Sequence, residues 1–295
     1  MLFLRTWKTI IWAIVTIIVF WFVKFILKFP EGDLNTISII LTIASILFGF
    51  LAGFFISELW GRYTSLRTLQ SARLGDGLNI IQKASFFFKG NKKFENTFKK
   101  SIEKAAIADE IAEWDETHLE LPYFRAIGET FNLIDEKQVK TNKGLTIFDK
   151  LLDSYSEFIK NTVQQDVLGK ERLFNSEWFM LITLSLIIAF SVLSLEISKT
   201  FYQVIIFAFP VIITIAMLII YDLDELLWGK NIISLEPNAQ LFDAIGVKRF
   251  YLNKKKVFIK GLVKEYRTED DIKGELKQVY LDVLSKQKET NKYGK

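Results

Sequence analysis

The chain has 295 residues, 50% hydrophobic and only 24% charged, with 27 Phe, 7 Trp and no Cys; that balance is too apolar for an ordinary soluble domain. A net charge of +4 is too weak to imply a nucleic-acid partner. The absence of Cys removes disulfides, thiol catalysis and thiolate metal sites together.

The apolar excess is concentrated in four windows. Ile10–Leu27 holds one charge, Lys24, whereas Ile37–Ile56, Trp178–Leu195 and Phe201–Tyr221 hold none. Each is long enough, at about 1.5 Å per helical residue, to cross a hydrocarbon layer about 30 Å thick. The first follows Arg5 and Lys8 as a signal peptide would. It is Trp- and Phe-rich, however, and runs into Phe29-Pro30-Glu31 with no small-residue cleavage site, so it reads as an uncleaved span. Lys24 lies within a turn of the span's end, where its ammonium can snorkel to the interface.

Basic residues flank the windows at Arg5 and Lys8, at Arg62, Arg67 and Arg73, at Lys170 and Arg172, and at Lys230, Lys248 and Arg249; the short connections 28–36 and 196–200 are nearly bare of them. The positive-inside bias therefore places both termini and the large polar block in the cytoplasm. The expected fold is all-α, with four transmembrane helices in two hairpins. Residues 1–58 form the first hairpin, 59–177 a cytoplasmic helical region, 178–221 the second hairpin, and 222–295 a cytoplasmic C-terminal region ending in a disordered tail.

Within the first polar block, Leu66, Leu69, Leu74, Leu78 and Ile81 keep helical spacing and follow the second span without a Pro, so span and cytoplasmic helix are expected to form one rod. Further helices are expected over 94–114, with Phe94, Phe98, Ile102 and Ala105 on one face, and over 145–168. After the fourth span, 228–237 contains Gly and Pro and reads as extended. Residues 269–288 read as a solvated amphipathic helix.

Little here supports catalysis. His118 is the only histidine and sits among Asp115, Glu116 and Glu120, which reads as a surface position; no His-ligated metal centre, P-loop or nucleophile elbow is present. No enzyme activity and no cofactor are expected. The polar residues at mid-membrane are Ser and Thr and the one intramembrane Pro is Pro210, which argues against a small-molecule transporter.

The second span is patterned. Ser45, Gly49, Gly53, Ser57 and Gly61 recur every fourth residue and offer a face where another helix backbone can approach closely. One residue further on, Ile46, Phe50, Phe54 and Glu58 make a second row. Around a shared axis, rings of Ile and Phe would form an apolar constriction in which water is only marginally stable. Facing lipid or a bundle core, the same residues would only pack. Glu58 is open to two readings: a carboxylate ring at a pore mouth, or a partner for Arg62 one helical turn on.

The segment Ile46-Leu47-Phe48-Gly49-Phe50-Leu51-Ala52-Gly53-Phe54-Phe55, followed by Arg62-Tyr63, resembles the neck helix of bestrophin channels, which carries Ile or Phe every four residues, a Gly-Phe pair, and an Arg followed by an aromatic residue. After the last span, Asp222-Leu223-Asp224-Glu225 and Trp228-Gly229 are similar to the acid-rich turn of bacterial bestrophin-like proteins. Departures accompany the likeness: Gly61-Arg62-Tyr63-Thr64 lacks the family's paired tryptophans, and Leu227-Trp228-Gly229 replaces its Pro-Phe-Gly turn. Its acidic calcium clasp is reduced to Asp222, Asp224 and Glu225, weak metal candidates that read better as caps or partners of nearby Arg and Lys.

The resemblance implies an oligomeric ion channel of a bacterial inner membrane, pentameric, passing inorganic ions through a neck of Ile46, Phe50 and Phe54 with Glu58 at its mouth. The rival expectation is a membrane-anchored scaffold or sensing protein, in which the same rows only hold helices together and the cytoplasmic block recruits a partner.

Overall fold

A computed structural model describes residues 2–26, 30, 32–112, 119–195, 200–225, 237–251 and 266–293. The described residues are helical throughout, with no β-strand among them and a single isolated bridge between Phe250 and Arg267. Helices α1 (Leu2–Trp21, prolonged by a π-helical stretch Phe22–Ile26), α2 (Leu34–Ser85), α3 (Lys92–Ile111), α4 (Leu121–Glu129), α5 (Glu136–Val139), α6 (Asn142–Lys170), α7 (Asn175–Ser194), α8 (Thr200–Asp224), α9 (Pro237–Ala244) and α10 (Glu275–Tyr293) follow in chain order. Long apolar stretches able to cross a membrane lie at Thr9–Ile26, within Leu34–Ser85 and within Asn142–Ser194, the last containing the non-helical turn at 171–174.

The chain divides into two compact units: Met1–Tyr63 with Arg172–Trp228, and Thr64–Glu171 with Gly229–Lys295. In the first, α1 packs on α8 and α7 on α8. Ala44, Phe48, Ala52, Phe55 and Leu59 of α2 share a core with Leu181, Ile188 and Val192 of α7 and Ile220 and Leu223 of α8. The Thr16 and Thr214 hydroxyls meet at 3.2 Å between α1 and α8.

The second unit has an aromatic-rich core of Ile80, Ala84 and Phe87 with Phe94, Phe98, Phe124, Ile127, Leu151 and Phe158. Beside it, Ile107 and Ile111 of α3 pack with Phe242, Val279 and Val283. Helix α10 is thus docked by one apolar face, as an amphipathic helix would be. The salt bridges from Lys100 and Lys104 to Glu275 reinforce this contact, and the two ammonium groups draw the Glu275 carboxyl down to about 2.

As the Pro-free sequence predicts, α2 continues past the apolar window as one helix to Ser85. It passes through Gly77, where a Cβ would stand 3.0 Å from Leu241 Cδ2, so the glycine lets α9 approach closely. The turn after α2 is made at Gly90, whose φ of 82° favours a residue without Cβ. Helix α3 then starts on Asn91, whose side chain accepts from Phe94 N at 3.0 Å. Helix α3 ends at Ile111 and α6 spans 142–170, each slightly offset from the expected bounds. His118, the connection 196–199 and residues 228–236 of the expected extended stretch lie outside the described residues, and Pro237, the last of that stretch, opens α9.

Candidate functional site

Helix α2 begins on Asp33, whose carboxylate accepts from Thr36 N at 2.9 Å and Thr36 Oγ1 at 2.6 Å, satisfying donors at the positive end of the helix. Along the apolar part, one side is packed and the other open. Ala44, Phe48, Ala52, Phe55 and Leu59 are buried, whereas Ile46, Phe50 and Phe54 are 66%, 76% and 56% exposed. Three large apolar side chains thus stand together, open, on the face away from the unit's own core.

Among the described residues, the small-residue row is not a packing face. A Cβ added at Gly49, Gly53 or Gly61 would meet nothing within 4 Å, and Ser57 is exposed; only Ser45, half-buried, lies near the packed side. The contacts are made instead by Ala44 and Ala52, small enough for close approach, and by the Phe48 and Phe55 rings between them.

At the far end of this segment Arg62 turns inward. Its guanidinium donates to the Asp224 carbonyl oxygen at 2.9 Å and lies 3.6 Å from the Asp224 carboxylate, both side chains being buried. The same carboxylate accepts from Leu173 N at 2.9 Å and from Trp178 Nε1 at 3.2 Å. Asp224 therefore ties together α2, the segment entering α7, and the end of α8. That is the structural role the sequence left open for the acids of this stretch. Asp222 is half-buried and Glu225 exposed, and among the described residues no three His, Cys, Asp or Glu side chains gather as metal ligands. Glu58 is exposed.

Lys24 also meets the end of a neighbouring helix: its ammonium donates to the Leu193 and Leu195 carbonyl oxygens, each at 2.8 Å. These carbonyls end α7, where a cation offsets the negative end of the helix dipole and satisfies acceptors that lack helical partners.

The second unit contains a buried charge cluster that no sequence pattern marks. Arg73 donates to Asp109 at 2.7 Å and to Glu120 at 2.6 Å, with its guanidinium 5.4 Å from the Phe124 ring centroid. Burial pushes the Glu120 carboxyl well up, and the neighbouring Asp109 charge adds to this, against the opposing pull of Arg73. One guanidinium faces two carboxyl groups, so the surroundings favour the neutral form of Glu120.

Compared with known families, the chain matches the model of the Bestrophin-like domain over residues 10–238, which takes in the whole α2 row and the Asp224 node. The chain belongs to the bestrophin-like family. Bestrophins are membrane ion channels, and the family's fold recurs in solved structures at low identity. A crystal structure of a bacterial bestrophin homologue from Klebsiella pneumoniae, carrying an Asp-to-Ala substitution, superposes with a TM-score of 0.50 at 12% identity, covering 83% of this chain and 99% of that one. A second, described as a membrane protein with a Gly-to-Ala substitution, gives 0.51 at 12% identity, covering 84% and 99%. At that identity the likeness establishes the fold alone. No curated protein matches. With its apolar helices and family fold, the chain is an integral membrane protein.

Proposed function

We propose that the protein is an oligomeric ion channel in which α2 lines the conduit and Ile46, Phe50 and Phe54 form its apolar neck. The observation that carries this reading is the open face of α2: three large apolar side chains standing clear of the unit's own core, inside a segment long and apolar enough to cross a membrane. Copies arranged around an axis, five of them by family resemblance, would turn each residue into a ring. Rings of Ile and Phe make a narrow stretch where water is marginally stable, so that small changes in diameter wet or dry it. No bond is made or broken in this function; the protein lowers the cost of moving an ion through a low-dielectric layer.

In this reading α1, α2, α7 and α8 provide four spans in two hairpins, with 1–58 and 178–221 in the bilayer and 59–177 and 222–295 in the cytoplasm beside both termini. The small residues Gly49, Gly53 and Gly61, unused within the chain, are available for contact between copies. The metal-site reading of Asp222, Asp224 and Glu225 is not carried forward, because the Asp224 oxygens already serve Arg62, Leu173 and Trp178.

Purified protein in planar bilayers tests the proposal. It predicts discrete currents that change in open probability or conductance in Phe50→Ala and Phe54→Ala. Silence at all voltages and salts from intact oligomers would sink it in favour of a membrane scaffold.

A further inference from the structure

The burial pattern of α2 fixes a direction that sequence spacing leaves undetermined. An α-helix advances about 100° per residue. Ala44, Phe48, Ala52, Phe55 and Leu59, all buried, cluster around one direction. Directly opposite, about 180° away, stands Ser57. Ile46 and Phe50 lie about 20° to either side of that opposite direction, Phe54 about 60° off it, and Glu58 about 100° off it. The exposures of the neck residues follow suit, with Phe50 and Ile46 more open than Phe54. A spacing of four overshoots a full turn by about 40° at each step, so by Glu58 the row has swung a quarter turn away from the open side.

Resting on the neck reading above, we infer that Ser57, not Glu58, forms the mouth of the constriction, and that Glu58 points sideways, out of the ion path. Ser57 follows Phe54 by three residues, about 4.5 Å along the helix, and is exposed. Its hydroxyl can donate to an anion or accept from a cation's hydration shell. The mouth thus meets a partly dehydrated small ion with a neutral polar group. The row from Ile46 to Ser57 carries no fixed charge. The sign of the permeant ion is therefore not set by a carboxylate at this level.

Reversal potentials in asymmetric NaCl test the assignment, using the full-length protein in planar bilayers. Ser57→Lys and Ser57→Glu should shift the sodium-to-chloride permeability ratio in opposite senses, each by about fivefold, the factor a unit charge exerts on an ion about 4 Å away in water-like surroundings. Glu58→Gln should leave the ratio at its wild-type value. Because the chain has no native cysteine, Ser57→Cys and Glu58→Cys provide conservative variants: a charged methanethiosulfonate should alter current at position 57 and not at 58. A channel that responds to Phe50→Ala, but whose ratio follows Glu58→Gln and ignores both Ser57 variants, would overturn the assignment while leaving the neck intact. A wild-type protein without current, or one indifferent to Phe50→Ala, removes neck and mouth together.

Discussion

Replacing Arg73 by Met probes the buried cluster of the second unit. Arg73, Asp109 and Glu120 are all withdrawn from water, and the guanidinium makes hydrogen bonds of 2.7 and 2.6 Å to the two carboxyls. Removing one partner of such a group costs about 3–5 kcal/mol, chiefly because a charge is left buried without compensation. At about 2–4 °C per kcal/mol for a unit of 150–250 residues, the unfolding midpoint of the full-length protein in detergent should fall by about 10 °C. Adding Asp109→Asn and Glu120→Gln to Arg73→Met should recover at least half of that loss, since neutral amides no longer need a counter-charge. An Arg73→Met midpoint equal to wild type, or a triple variant no better than the single, would refute the charge-compensation reasoning. The same cluster sets a pH dependence. Because the folded protein holds the Glu120 carboxyl well above its ordinary 4.5, the neutral form is favoured in the fold. That contribution is fully present below the unfolded value and fades as pH rises through the folded one. The difference in midpoint between wild type and Glu120→Gln should therefore move against wild type with increasing pH; a difference that is flat, or of opposite slope, would show that Glu120 does not titrate as its surroundings dictate.

Other substitutions address the first unit. Asp224→Leu removes the acceptor shared by Leu173 N, Trp178 Nε1 and Arg62 and should destabilise by about 3–5 kcal/mol, read as a lower midpoint of the detergent-solubilised protein; Asp224→Asn, which keeps part of the hydrogen bonding, should lose less. Lys24→Met leaves the Leu193 and Leu195 carbonyls without their ammonium donor and should cost about 1.5–3 kcal/mol, the usual worth of hydrogen bonds to a charged group, in the same assay. Gly53→Leu meets open space within the chain, so the purified protein should retain its helical circular dichroism while the mass of the detergent-solubilised particle falls toward a single copy.

Apolar run length revealed that α1, α2, α7 and α8 exist, and the lack of a helix breaker after the second window showed that α2 continues into the polar block. Orientation was harder, for a physical reason. In a soluble helix, polarity marks the outer face; in a span nearly every residue is apolar, so hydrophobic period distinguishes no side. Phe48 and Phe55 are buried while Phe50 and Phe54 are open, and nothing in residue type separates the two pairs. The small residues pose the same difficulty, since Gly49, Gly53 and Gly61 look like a packing face, yet a Cβ added at any of them meets nothing within 4 Å among the described residues.

The charged partners were illegible for a different reason. Arg62 and Asp224 each attracted notice through local resemblance, yet 162 positions separate them, and no periodicity joins positions that distant. Arg73 lies in α2 and Glu120 immediately precedes α4, 47 positions away, so no local pattern joins them either. Local pattern can announce that a charge sits on a buried face, but only the fold chooses its counter-charge. Glu58 illustrates the converse. Counting by fours places it in line with Phe50 and Phe54, but the drift of about 40° per step is small over one turn and about 120° over the three from Ile46. Once the packed side of α2 fixes zero on that circle, the residue opposite it is a serine, and position 58 stands about 100° away from that direction.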